Sequence, residues 1–592
     1  MSAVDVGARG LAARALAQGN AAGDGVVSLD ARNSSGAQDT EALMDSAGAV
    51  SGRAGAVHEV DDIPYPKRVV IRGNGAELRN TNPTDLSVDL LPTVALALGY
   101  SNVYSTPYFD YYPVLSAIGP ELALAADAGA NFAPGDFVVL HGTLKYSSSG
   151  YEVFRNYLRA RVIDATGDTV TLDRDLPGEL LADGPVIANV TYAETDRGTY
   201  LLHRPHVSHL AISSMNGHPW FWGGVIDGTF RDIHLDGRNG VSFNAMQDCL
   251  FENIHFRSWR KICELAEGSV GTTVRTVRGS LSDASTRFGG QSDVAGAFIS
   301  MNENCAECVF EDLNVSSGPN SAPGNACQIR SGRNNVIRNS ILRFPAHTGV
   351  GLALVSNAEA GHSNRDCGFE GLQVYLPVCS TFFQVSDGGA GVVRPFFRNI
   401  RFFGAASTRA GLIAGEGGVL DDVWCESGGL RFSSACTNWR VENCYFPGGF
   451  ENLTADLLRS NAIRNNESDA SRRIAAAAIV DSSQTTIQSN TPNSVARTMT
   501  IAPGDLAPLD EVHVRIAGRT AGGGTNTRHV RVTCMIDGAN PVEVAHMTVA
   551  ENGASYAVEG TNEVQGNTLL HASMRSSANT ATMRAACSDR RD

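Results

Sequence analysis

From about residue 200 onward the chain sets apolar and polar positions in short bursts that keep returning: "FRDIHL" at 230, "FENIHF" at 251, "FEDLNV" at 310, "FEGLQV" at 369 and "FRNIRF" at 397. Each burst reads apolar, any residue, turn residue, apolar, any residue, apolar. The last two apolar positions are two apart, the period of a strand with one buried face. The turn positions form a column: His209, Asp232, Asn253, Thr276, Asp312, Asn339, Gly371, Asn399, Asp422 and Asn443, with gaps of 23, 21, 23, 36, 27, 32, 28, 23 and 21 residues. Asn, Asp and Gly tolerate left-handed backbone best, so the column predicts a tight corner between two strands. A third strand shows in "VSF" at 241, "CQI" at 327 and "LRF" at 430. Three short strands and compact turns need about 21 residues, and a repeat of that size predicts a solenoid, here a parallel β-helix.

Cys249, Cys308 and Cys367 each stand two positions before a first-strand Phe, in phase with it, and are expected to fill the core as small hydrophobes. Outside the coil the patterning changes. Residues 81–200 carry "FAPGDFVVLHG" and "ARVIDATGDTVTLDRDLP", antiparallel strands with turn residues between them, and predict a small β-rich insertion. The coil proper is expected over 201–467, followed by a linker over 468–496. Residues 497–592 alternate as short half-buried strands and predict a terminal β-sandwich that covers the last coil's exposed edges.

Composition narrows the function classes. The 592 residues carry a formal net charge of -15, unfavourable for sequence-independent nucleic-acid binding and for anionic membrane surfaces. No run of about 18 apolar residues occurs, so no membrane insertion is expected. The opening "MSAVDVGARGLAARALAQGN" lacks the apolar core of a secretory signal, so synthesis in a cytoplasm is expected. Twelve cysteines are too sparse for a disulfide scaffold, and the lone "CAEC" at 305–308 has no second pair. No metal and no cofactor are expected.

The segment 25–80, with "QDTEALMDSA" followed by "YPKRVVIRGNGAELRN", resembles the opening of the pectate-lyase-like β-helix superfamily in the form found in bacteriophage tailspikes and capsule depolymerases. There a helix capped by Asp39 or Thr40 would close the coil's N-terminal end. The resemblance implies a right-handed coil, with residues 1–24 as a leader or neck and 25–80 as cap and first coil. It also implies a homotrimer, with the terminal domain trimerising the chain or binding sugar. The setting it implies is a phage tail or capsid attachment protein on the surface of a virion or phage-like particle. Its partner would be a bacterial surface polysaccharide, bound and depolymerised by a glycosidase or lyase. A non-catalytic adhesive spike and a free polysaccharide lyase stand as the alternatives.

Candidate chemistry lies on the outward face, where every second strand residue meets solvent and successive coils stack about 4.8 Å apart. The outward column after the corner includes His234, His255, Asn314, Gln373, Arg401, Trp424 and Tyr445, rings mixed with hydrogen-bonding groups, as sugar recognition requires. Arg257 and Trp259 join it as substrate-binding candidates. Before the corner, Ser242, Glu264, Gln328 and Arg431 are expected to point outward, and long gaps provide groove-walling loops. Hydrolysis of a glycosidic bond needs two carboxylates, and Glu264 with Glu303 is the expected pair. For a lyase, His255 as base and Arg257 as the cation that steadies a uronate are the alternative. Trp220 and Trp222 either line a subsite or pack the junction of insertion and coil.

Overall fold

The computed structural model describes residues 49–60, 70–80, 110–143, 157–191, 201–214, 224–266, 268–283, 296–302, 304–356, 363–386, 391–434 and 436–452, with short stretches and isolated strands elsewhere. The chain divides into two compact units, 1–408 and 409–592.

The first unit is built on parallel ladders. Phe230, Ile233 and Leu235 pair with Phe251, Ile254 and Phe256 of the next coil, and all six are buried. The Phe230 and Phe251 rings stack at 4.5 Å. A separate ladder runs Val241, Cys263, Ile299, Cys327, Leu352, Phe383, again all buried. The architecture is thus a parallel β-helix. Every residue of the corner column has positive φ, from 50° at Asn399 to 64° at Gly371, which is why Asn, Asp and Gly dominate it.

A second left-handed corner lies five residues before each of these. It holds Arg204, Asp227, Asp248, Gly271, Glu307, Asn334, Asp366, Arg394, Gly417 and Asn438. Sequence reading passed it over because its occupants are chemically mixed, although their offset is constant. Cys249, Cys308 and Cys367 are fully buried, and burial pushes the Cys367 thiol up to about 12. All three pack as hydrophobes, and burial keeps the Cys249 and Cys367 thiols from ionising near neutrality.

Within 81–200, the strands Tyr112–Ile118, Glu121–Leu124, Phe137–His141, Tyr157–Thr166, Thr169–Leu172 and Val186–Asn189 close into an antiparallel barrel. Leu122, Leu140, Val170 and Ile187 fill it. The barrel is fastened to the second corner column. Arg161 pairs with Asp227 at 3.2 Å, and Arg174 reaches Glu307 at 3.7 Å while holding its neighbour Asp173 at 2.8 Å.

The second unit contains further parallel rungs, with Val419–Cys425 pairing to Arg440–Glu442 and that strand to Ala462–Arg464. Leu430–Phe432 pairs parallel with Phe450–Glu451, and the eight strands from Ile479 onward form two four-stranded antiparallel sheets. One of these strands, Ile479–Ile487, falls inside the stretch read as linker and pairs with Ala581–Arg590. The helix expected over 38–47 with Asp39 and Thr40, residues 1–24, Trp222 and Glu303 lie outside the described residues, and of Trp220 only the backbone is described. No helix among the described residues is long and apolar enough to cross a membrane.

Candidate functional site

The strand period of two puts alternate residues after the corner on the outer face. Rung by rung, the first outward column is Glu77, Ala211, His234, His255 and Arg278. The second is Arg79, Ser213, Asp236, Arg257 and Ser280. These columns bound a groove of about 450 Å³, lined among others by Glu77, His234, Asp236, His255, Arg257 and Arg278.

His234 and His255 stack with centroids 4.9 Å apart and planes 13° from parallel. Burial first, then the neighbouring His234 and Arg278, hold the His255 imidazole below the ordinary histidine range. It is therefore neutral, a proton acceptor, at neutral pH. Arg257 pairs with Asp236 at 2.9 Å, and Arg79 with Glu77 at 2.7 Å. Ser213 Oγ also donates to Glu77, at 2.5 Å. The hydrogen bond from Arg79 is the main reason the Glu77 carboxyl titrates below its usual range. Arg278 leans to Asp312 at 2.8 Å on the next coil.

Of the expected site residues, His234, His255 and Arg257 come together here. Glu77, Asp236 and Arg278 were missed. Extending the outward column back into Val70–Asn80 and one step along each strand exposes all three. Glu77 is hidden by sequence distance, since 134 residues separate it from Ala211, its rung neighbour.

Glu264 does not line the groove. Its phase is outward as expected, between the inward Cys263 and Leu265, yet it is 8% exposed and Ser242 is 2% exposed. Its carboxylate pairs with Lys261 and accepts from Ser242 at 3.1 Å, Asn302 at 3.2 Å and Ser300 at 3.3 Å. Burial would raise its titration, but Lys261 and Arg260 outweigh this and hold it low. A fully bonded, ionised and covered carboxylate is poorly suited to donate a proton to a leaving sugar.

Trp259 corrects a second expectation. At 1% exposure its indole belongs to the core and offers no face for a sugar to stack on. Ser258 and Trp259, both buried in succession after Arg257, break the simple alternation where the register with the neighbouring strand shifts between Gly237 and Asn239. Gln373 lies on the groove's own column several rungs on and accepts from the Tyr375 hydroxyl at 3.2 Å. Arg401 donates to the Ile400 carbonyl at 3.3 Å. In the second unit Trp424 and Tyr445 stack with centroids 5.8 Å apart. No cluster of three or more His, Cys, Asp or Glu able to hold a metal occurs among the described residues.

No family model matches the chain. Among solved structures, the tailspike of Pseudomonas phage phi297 is 13% identical, covering 93% of this chain and 92% of its own, with a TM-score of 0.34. The tailspike of Pseudomonas phage LKA1 is 14% identical, covering 93% and 91%, with a TM-score of 0.35. The catalytic domain of a GH87 alpha-1,3-glucanase is 10% identical, covering 59% and 96%, with a TM-score of 0.22.

Proposed function

We propose that the chain is a phage-type spike that binds a bacterial surface polysaccharide in the groove beside His255 and cuts it by β-elimination. One observation carries the reading: a groove holding a neutral, stacked imidazole flanked by two guanidinium groups, Arg257 and Arg278. In that step His255 takes the C5 proton of a uronate, the freed pair forms the C4–C5 double bond, and the C4–O bond breaks. The departing glycosidic oxygen takes a proton from water. Arg257 and Arg278 steady the charge that builds on the uronate carboxylate. Hydrolysis fits less well, because it needs a carboxylic acid that stays protonated, whereas Glu77 is held ionised by Arg79.

The test is incubation of the purified chain with a panel of capsular and lipopolysaccharide glycans. Shortened products with the ultraviolet absorption of an unsaturated uronate are expected, and His255→Ala should lower cleavage about a hundredfold or more while binding persists. Shortened products without the double bond would replace the lyase with a hydrolase. Neither binding nor shortening across the panel sinks the whole reading. A purely adhesive spike is the second reading, favoured by the ion pairs that already occupy Glu77, Asp236 and Arg257. It predicts binding with glycan length unchanged. Display on a virion as a homotrimer belongs to the proposal through the resemblance of residues 25–80, and light scattering of the full chain checks the trimer.

A further inference from the structure

The groove's second outward column does not stop at Arg257. It continues through Ser280, Ser316, Arg343 and Tyr375, one residue per coil. Phe403 follows, its ring stacked on Tyr375 at 4.7 Å with planes 15° apart. Both rings are half-buried on the solvent face, where strand alternation ordinarily places polar side chains. The Arg343 guanidinium lies over the Tyr375 ring, 5.6 Å from its centroid. Its polar partner among the described residues is the neutral amide of Asn314, at 2.6 Å. Arg79, Arg257 and Arg278, by contrast, are each engaged by a carboxylate.

Arg343 therefore presents positive charge that no carboxylate among the described residues neutralises, beside an aromatic platform. The intervening Ser280 and Ser316 have short side chains, which keeps the column low between groove and platform. Arg257 and Tyr375 are four rungs apart, roughly 19 Å at about 4.8 Å a rung, the length of several pyranose rings.

We infer that Tyr375 and Phe403, with Arg343, form a distal subsite for an acidic sugar of the same polysaccharide chain that occupies the groove. An apolar sugar face packs on the exposed aromatic surface while Arg343 meets a carboxylate. The inference rests on the proposed polysaccharide reading and adds a length requirement to it. Only a chain long enough to span groove and platform gains the second contact, since the two sites then act as one linked ligand's anchors.

The experiment uses the full chain and size-fractionated oligosaccharides from acidic and neutral bacterial capsules, some too short to span the gap and some long enough. Long acidic fragments should bind about tenfold or more tighter than short ones. Tyr375→Ala and Phe403→Ala should remove that advantage while leaving short-fragment affinity unchanged, and Arg343→Gln should weaken the long acidic fragments selectively. Tyr375→Phe keeps the ring and should keep the advantage, which separates stacking from any loss of folding. Equal affinity for short and long fragments in the wild-type chain overturns the inference alone, as do alanine variants that retain the full length dependence. Equal gains for neutral fragments overturn the acidic assignment. Absence of binding to any fragment overturns the polysaccharide reading, and the inference with it.

Discussion

At Glu264 the residue type suggested an active-site acid, and its surroundings assign it a different part. Its partner Lys261 is nearly as covered as it is, with side-chain exposures of 13% and 11%. Removing one charge takes from the other a close, covered counter-charge, so Glu264→Gln should cost about 3 kcal/mol of stability in chemical denaturation. Glu264→Gln combined with Lys261→Met should cost less than the sum of the two single changes. A variant with wild-type stability would show that the pair is not held as described. His255 carries a pH prediction. Its proton affinity is lowered in the fold, so its neutral form persists below the ordinary value of about 6.5. The acid limb of cleavage should lie below that value, and His234→Ala, which removes a repelling neighbour, should move the limb upward. In the window between the folded and ordinary values the unfolded chain binds more protons, so the imidazole's contribution to stability falls as pH drops through it. An acid limb at or above the ordinary value would remove His255 as the base.

The corner is the element that organises the coil, and one of its residues fits poorly. Thr276 sits at φ 56°, a conformation that β-branched residues resist, though its hydroxyl donates to Asp312 at 3.1 Å. Thr276→Asn should stabilise the chain by about 1 kcal/mol, and Asn253→Ala should destabilise it by about 1 to 2 kcal/mol, both read from denaturant midpoints. Equal midpoints for the two would show that corner strain is relieved elsewhere. The first corner was legible in the sequence because Asn, Asp and Gly recur there beside in-phase apolar pairs. The second was not, because Arg204, Glu307 and Arg394 obscure the same left-handed geometry. Some of those acids have another task. Asp227 and Glu307 hold Arg161 and Arg174 of the barrel.

On the scale of the molecule, that contact decides whether insertion and coil of the first unit act as one body. Asp248 lies in the field of Arg174, and its carboxyl is nonetheless raised, chiefly by desolvation. Arg174→Ala should therefore lower stability by about 2 kcal/mol and admit protease between barrel and coil. Unchanged proteolysis would place the fastening elsewhere. The sequence by itself determined the repeating unit: which in-phase apolar positions of each rung are buried, where the first corner turns, and that free cysteines pack in the core. These follow from local periodicity and backbone preference, which neighbouring residues carry. Tertiary structure alone decided the site. Glu77 meets the coil of His234 only through parallel stacking across a long insertion, Glu264 became a covered ion pair, and Trp259 turned inward where the register with the neighbouring strand shifts. The outward face is specified only as outward by its own sequence. What stands next to what across successive coils depends on register, loop length and covering segments, which are non-local quantities.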